Sequence, residues 1–448
     1  RQPQCVCMWH PIPAGGVTMF APVRAGGVSR PLTDASVGRP AQYEPPPLYR
    51  IRATSLFDAG LQQGRMAGAR IRGWLSTPEM KGLRNYTDRD GAAGFAQLKR
   101  DNAATFPQLV RELEGVASGA GVPPDDIWRA TMINELESLR STAPGAWHAG
   151  HCSDVYAVPP GGYSAGFAHG HNEDWPGPIW QYWYFVAYSA APGADFASCA
   201  GAVYPGGLLG WAASWNARGL YLTQNSLFPK RNLPGGLSSA FVQRAALCGA
   251  GGGEAAAGSL DELVGALSTP RGGLGWSSAA SLNLVSLVER RMANLEVHLD
   301  KHARREVREE EVTGEGRSGG GGAAGAANYS HFNAFKSLEV GVADDPEPSS
   351  RHRQARVDAL PPVRSAADIR SRLSDARDEA FPIYRNMTLH TLVLDGPTGR
   401  LDVWCCGRSA AHGPPVYQWE LLPSSPFFGF AESLPARARA ASAEPRAA

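Results

Sequence analysis

The sequence predicts an α+β fold, and three features of the chain predict it. Between Ser55 and Leu136, small and apolar residues recur at helical spacing. From Val155 onward, apolar runs come in pairs joined by Pro-Gly or Asn-x-x-Gly turns, the signal of antiparallel hairpins. Helical stretches then follow the strand pairs as separate blocks. A four-layer arrangement, two packed sheets covered by helices, fits the number of elements.

Taken in order, residues 1–50 are rich in Pro and Gly, lack a steady period and read as a poorly ordered extension. Leu56, Gly60, Leu61, Gly64, Ala67, Ile71 and Trp74 mark a first helix. Phe106, Val110, Leu113 and Val116 mark another, closed by Gly119 and Gly121, and Pro123-Pro124 opens a short third one carrying Ile127, Met132 and Leu136. Val155–Val158 and Gly166–Gly170 form an expected hairpin across Pro159-Pro160-Gly161-Gly162. Tyr182–Tyr188 reads as a strand from its aromatic content. The runs 208–215 and 220–223 pair across Asn216-Ala217-Arg218-Gly219. Residues 238–267 are largely helical with a break at Gly249–Gly253, and strands return at 279–287 and 295–299. Residues 303–327 are a charge run followed by Gly and Ala, read as an inserted solvated loop. A last helical stretch covers about 351–376, and 387–395 pairs with 401–404 over Gly396-Pro397-Thr398-Gly399. The expected organisation is one domain over 51–430 with a disordered tail at 431–448.

The chain has 448 residues, enough for two average domains or one large one. Its net charge of +1 gives no general electrostatic reason to bind nucleic acid or anionic membranes. No run approaches 18 consecutive apolar residues, so no membrane-spanning helix is expected. The opening Arg1-Gln2-Pro3-Gln4-Cys5 lacks the apolar core of a signal peptide. Seven cysteines, an odd and sparse set, argue against a disulfide framework and for a reducing compartment. The cytoplasm is expected, with an organelle as the alternative because the chain does not open on Met. Cys5-x-Cys7 and Cys405-Cys406 lack matched second pairs, so no structural zinc site is expected. There is no Walker loop and no His-Glu-x-x-His.

Cys152 stands apart from the other thiols. Cys199 and Cys248 read as small buried hydrophobes. Cys152 is flanked by His151, Ser153 and Asp154, poor core residues, at the head of a strand. Asn172-Glu173-Asp174 follows at the end of the next strand and reads either as a solvated turn or as orienting polar groups. His148, His151, Cys152, His169, His171 and Asp174 are also metal-ligand types in His-x-x-His and His-x-His spacing, which keeps a metal site open as a rival. Asn216, Asn225 and Asn333 sit at strand ends or turns, where an amide N–H serves either a turn or an oxyanion. Trp175, Trp180, Trp183 and Tyr184 are core residues on the bland reading and pocket walls for an aromatic amine on the sharper one.

Taken together, Gly60-x-x-x-Gly64, the run Phe106–Pro123, Asn134-Glu135-Leu136, Cys152-Ser153, Gly170-His171-Asn172-Glu173-Asp174, Asn216-Ala217-Arg218-Gly219-Leu220 and His331-Phe332-Asn333 resemble the penicillin (isopenicillin-N) acyltransferase family of N-terminal-nucleophile hydrolases. Tyr184-Phe185-Val186 and Gly219–Leu227 are closest to its β-alanyl-dopamine hydrolase branch. The resemblance covers roughly residues 55–430. It implies a four-layer αββα sandwich and cleavage at His151–Cys152 into a helical α chain ending at 151 and a β chain from 152. It implies Cys152 as nucleophile with its freed α-amine as base, Asp174 orienting that amine, and Asn333 with Asn216 donating to the oxyanion. Asn172 and Ser153 would support them. The family usually has Gly before the nucleophile, and His151 stands there in this chain. The activity implied is hydrolysis of a small N-acyl amine, possibly β-alanyl, through a thioester. The alternatives are acyl transfer to a second amine, acyl transfer with coenzyme A as donor, a His/Cys metal-binding protein, and an inactive binding module. Apart from coenzyme A as a possible donor, no cofactor or metal is implied. The expected partner is the acylated amine, with no nucleic acid and no membrane.

Overall fold

In the computed structural model the described residues are 43–140, 152–210, 212–229, 232, 234–253, 255–268, 271–307, 329–340, 348–423, 425 and 427. Helix α1 (Leu56–Leu75) starts where Ser55 Oγ accepts the Asp58 N–H at 3.2 Å, and Asp58 places a negative charge in its first turn. It is followed by α2 (Pro78–Thr87), capped by Thr77, and by α3 (Ala92–Thr105). Helix α4 (Pro107–Ala120) opens on proline and ends at Gly121, whose φ of +66° costs glycine nothing. Helices α5 (Pro124–Thr131) and α6 (Ile133–Arg140) complete the first part.

The glycines of α1 and α4 set how closely these helices pack. A Cβ on Gly60 would run into the Glu112 carbonyl, and one on Gly64 into the Val116 carbonyl. From the other side, Gly115 faces the Phe57 carbonyl and Gly119 the Leu61 carbonyl. The obstacles are backbone atoms, so they cannot rotate away. Gly60→Ala is expected to add about 3 kcal/mol of overpacking, offset by about 1 kcal/mol of helix propensity. Denaturant midpoints should show a net loss of roughly 2 kcal/mol. Gly68→Ala is the control: its methyl would press on the end of the Arg72 side chain, at 3.0 Å, and sit at an ordinary 3.6 Å from Ala120 Cα, and no loss is expected.

The strands form two sheets. In chain order they are β1 (Leu48–Ala53), β2 (Ser153–Ala157), β3 (Ala168–Asp174), β4 (Tyr184–Ala190), β5 (Cys199–Val203), β6 (Ser214–Asn216), β7 (Leu220–Leu227), β8 (Trp276–Ser286), β9 (Arg291–Leu299), β10 (Lys301–Glu306), β11 (Ser330–His331), β12 (Thr388–Asp395), β13 (Arg400–Cys405) and β14 (Tyr417–Glu420). The eight-stranded sheet has the order β1-β4-β5-β6-β7-β8-β9-β10, and the six-stranded sheet β11-β2-β3-β12-β13-β14. The paired strands are antiparallel except β1–β4, which is parallel. Polar side chains join the sheets across their facing surfaces: Tyr156 Oη donates to Asn283 Oδ1 at 2.8 Å, and Thr223 Oγ1 to Asp154 Oδ1 at 2.6 Å.

The short helix α7 (Gly162–Ala165) lies in the β2–β3 connection. Helix α1 packs on β1 and β4, where buried Gln63 donates to Tyr184 Oη and accepts from Tyr188 Oη. Helices α8 (Ser239–Cys248) and α9 (Leu260–Ser268) cover β8 of the same sheet, α8 also touching β6 and α9 touching β9. A buried ion pair, Arg244 Nη2 to Glu112 Oε2 at 3.0 Å, ties α8 to α4. On the six-stranded sheet, α10 (Pro348–Asp358) touches β11, and α11 (Ala366–Leu373) lies on β2, β3 and β12. Gly170 of β3 lets α11 approach, since a Cβ there would strike Ile369.

The α+β class and the predicted hairpins are present. The stretch 351–376 is two helices, because Pro361-Pro362 interrupts it and Ser365 caps a fresh start. Strand β1 begins inside the stretch read as an extension, and β10 runs into the one read as a loop. The cysteine reading is corrected. Cys199 and Cys248 form a disulfide with Cα atoms 5.7 Å apart, joining β5 to the end of α8. Cys405 and Cys406 form a vicinal one. The first pair is 49 residues apart in sequence, so composition could not reveal it. Its presence removes the basis for expecting a reducing compartment. Cys152 is the free thiol among the described residues. No helix among them is long and apolar enough to cross a membrane.

Candidate active site

The site is built on the β2–β3 pair, whose register sets Ser153 opposite Asn172 and Asp154 opposite His171. Alternation along β3 gives one face to His169, His171 and Glu173 and the other to Gly170 and Asn172. Cys152 stands immediately before β2 and is 3 % exposed. The backbone N–H of Asp174 donates to its sulfur. Burial pushes the Cys152 thiol well up, and the Glu173, Asp174 and Asp154 carboxylates push it further than that N–H can oppose. In the uncut chain the thiol is therefore held protonated.

Behind the thiol lies a buried charge cluster. His171 Nδ1 is 2.8 Å from Asp154 Oδ2, and its Nε2 is 3.0 Å from Glu173 Oε2. Burial disfavours a charged His171, but the two carboxylates outweigh it and raise the imidazole to about 10. Asp154 is held well below the usual carboxylate range: burial works against this, and His171 and His169 overcome it. His169 Nε2 lies 3.0 Å from Asp154 Oδ1, and burial keeps that ring neutral. Tyr204 Oη donates to Glu173 Oε1. Ligand atoms of Cys152, His171 and Glu173 all lie within 4.8 Å of one another. The metal-type residues are thus brought together in part, with Glu173 present, while His148 and His151 lie outside the described residues.

Arg353 of α10 connects the remaining parts. It is fully buried, and its Nη1 donates to Cys152 O at 2.7 Å and Ser153 Oγ at 3.1 Å. Its Nη2 donates to Asn333 Oδ1 at 2.8 Å. The guanidinium also sits 4.9 Å from the centre of the Phe332 ring. Asn333 Nδ2 donates to Ser226 O at 2.9 Å, which fixes the plane of its amide. Asp174 Oδ1 accepts from Thr388 Oγ1 at 2.5 Å, and Arg385 Nε lies 3.5 Å from Oδ2. Burial pushes Asp174 up to about 6, against the pull of Arg385, Thr388 and Arg353.

Cys152, Ser153, Asp174 and Asn333 therefore meet around Arg353. Asn172 serves from the other face: its Nδ2 donates to Leu373 O and Ile383 O, at 2.9 and 3.1 Å, and its Oδ1 accepts from Thr391. It anchors β3 to the segment after α11. Asn216 is a correction. Its Nδ2 donates to Leu247 O at 2.9 Å and Ala257 O at 3.1 Å, and its Oδ1 accepts from the N–H groups of Arg218 and Leu220. Both amide hydrogens are spent on carbonyls of α8 and the segment after it, which leaves none for an oxyanion. Asn225 is likewise taken up in the sheet, accepting from Asn283 Nδ2 at 2.7 Å. Trp175, Trp183 and Tyr184 are core, and Trp180 is half-buried. His151, and so the His151–Cys152 bond, lies outside the described residues.

Sequence reasoning missed Arg353, Arg385 and Thr388. Arg353 sits among Arg351, His352 and Arg356, and local sequence gives no sign that this one is buried.

No family model matches the chain, and no curated protein does. Among solved structures it is similar to penicillin V acylase from Agrobacterium tumefaciens, with a TM-score of 0.34 and 12 % identity over 60 % of this chain and 86 % of that one. It is also similar to a variant of the conjugated bile acid hydrolase from Clostridium perfringens, with a TM-score of 0.32 and 10 % identity over 57 % of this chain and 89 % of that one.

Proposed function

We propose that the chain is an N-terminal-nucleophile cysteine amidohydrolase, of αββα layering, that cleaves a small N-acylated amine through a thioester on Cys152. The observation that carries this reading is the buried junction at Arg353, which holds the Cys152 carbonyl and the Asn333 amide together beside Asp174.

Cleavage before Cys152 would free its α-amine, which titrates at about 7.7–8.0 and so serves as a base near neutral pH. The need for such a base follows from the site, because burial and then the surrounding carboxylates keep the thiol protonated. The amine takes the thiol proton, the sulfur attacks the substrate carbonyl carbon, and a C–S bond forms. Negative charge gathers on the carbonyl oxygen, where the fixed Asn333 amide would donate. The C–N bond then breaks, and the leaving amine takes the proton held by the α-amine. Water, activated by the same amine, resolves the thioester to a carboxylic acid. A second amine in place of water would make the same site a transferase. Asp174, held among Thr388, Arg385 and Arg353, would orient the α-amine. The β-alanyl conjugates implied by the resemblance are the first substrates to try.

Mass spectrometry of the protein after exposure to a panel of acyl amines tests the reading. The expected result is two chains broken before Cys152, with the acyl mass on the second. A single intact chain with full hydrolytic activity would sink the amine-base mechanism. Folded protein that neither hydrolyses nor traps any acyl group would sink the amidohydrolase reading.

A further inference from the structure

We propose that Cys152, His171 and Glu173 form a binding site for one zinc ion, and that the bound ion blocks the thiol. The ion site stands independently of the enzymatic reading; only the blocking of catalysis rests on it.

The geometry carries the proposal. A sulfur, an imidazole nitrogen and a carboxylate oxygen lie within 4.8 Å of one another, all on buried residues. An ion at their centre would be close to each. His171 and Glu173 are two apart on β3, so the strand presents both from one face, and Cys152 approaches from the position just before the adjacent strand β2. The outer contacts suit a metal as well. His171 Nδ1 is fixed by Asp154 Oδ2 at 2.8 Å, which leaves Nε2 directed at Glu173. That is the carboxylate–histidine–metal arrangement in which the outer carboxylate sets ring orientation and raises ligand basicity. Asp154 is itself held by Thr223 at 2.6 Å, and the second oxygen of Glu173 by Tyr204. Three protein ligands of S, N and O type, with a fourth position for water, match zinc and not the oxygen-seeking Mg²⁺ or Ca²⁺. Binding is balanced by protons: the thiol proton and the Nε2 proton leave as the ion enters. Zinc draws electron density from a bound thiolate and so weakens it as a nucleophile, and the ion would crowd the approach of a substrate to the sulfur.

The test uses the full chain, freed of metal with a chelator, reduced only enough to keep Cys152 as thiol, and checked by circular dichroism. Calorimetry with Zn²⁺ should give one ion per chain, and Co²⁺ should show a thiolate charge-transfer band. Cys152→Ala should remove the band and weaken zinc binding by about 100-fold. Glu173→Gln, nearly the same shape, and Asp154→Asn should each weaken binding about 10- to 100-fold. Zinc binding unchanged in folded Cys152→Ala, no binding at micromolar Zn²⁺, or equal binding of Mg²⁺ would each overturn the proposal. Acyl-amide hydrolysis is measured in parallel on metal-free protein. Hydrolysis without zinc binding rejects the ion site alone. Zinc binding without hydrolysis rejects the enzymatic reading alone.

Discussion

Cys152→Ala is expected to reduce acyl-amide hydrolysis by about 10⁴-fold or more and to leave the chain uncut. The two effects have one cause, because the same sulfur would accept the acyl group of residue 151 during cleavage and that of the substrate afterwards. The substitution suits the purpose because it removes little else. Cys152 is small, and its backbone carbonyl, which accepts from Arg353, remains. Thermal unfolding should therefore stay close to that of the parent, so lost activity reports chemistry and not misfolding. Hydrolysis persisting at the parent rate, with chain integrity followed by intact mass, would remove Cys152 from the mechanism.

Arg353→Met should have the second largest effect, on both stability and rate. The side chain is fully buried and donates to Cys152 O, Ser153 Oγ, Asn333 Oδ1 and Ser349. Methionine fills much of the volume but supplies no N–H. Several buried oxygens would lose a partner, each worth about 1–3 kcal/mol, for a total of roughly 3–5 kcal/mol. The Asn333 amide would lose a contact that fixes its plane. If it donates to the oxyanion, kcat should fall about 10²- to 10³-fold with KM little changed. That split separates a positioning role from simple destabilisation, since Gly60→Ala should lower stability while leaving kcat per folded molecule intact. Arg353→Lys should not restore the rate, because one ammonium cannot span the Cys152 and Asn333 acceptors. A full parent kcat in Arg353→Met would refute the role.

The elements that sequence revealed are those with local causes. Small and apolar residues at helical spacing exposed α1 and apolar ones exposed α4, because one face of each helix is buried, and turn chemistry exposed the β2–β3, β6–β7 and β12–β13 hairpins because each is closed within a few residues. Strand β1 was missed because its partner is β4, far along the chain, and nothing in Leu48–Ala53 announces a parallel neighbour. The site divides in the same way. Cys152 and Asp174 were legible from their polar company beside apolar strands. Arg353 was not, since a buried arginine and a surface one look alike within a basic helix. Asn216 misled because Asn-x-x-Gly serves a turn and an oxyanion donor equally well in sequence, and only its hydrogen bonds decide. Glu173 looked like part of a turn until β3 was seen to extend through it, which aligned it with His171.

Strand β1 would hold the two pieces together if the chain were cut before Cys152. It precedes Cys152 in sequence, yet it sits at the edge of a sheet whose other strands all follow Cys152. Helix α1 reinforces the join through Gln63 and the tyrosines of β4, and α4 does so through the Glu112–Arg244 pair. Breaking the bond before Cys152 would therefore release nothing. The products would be two interlocked pieces, formed at equal stoichiometry and each the template for the other's missing face. Once pulled apart by denaturant they would have to find each other by diffusion, so a first-order folding problem becomes a second-order one. Maturation of this kind would run in one direction: the enzyme could be assembled once as a single chain and not readily rebuilt from its parts.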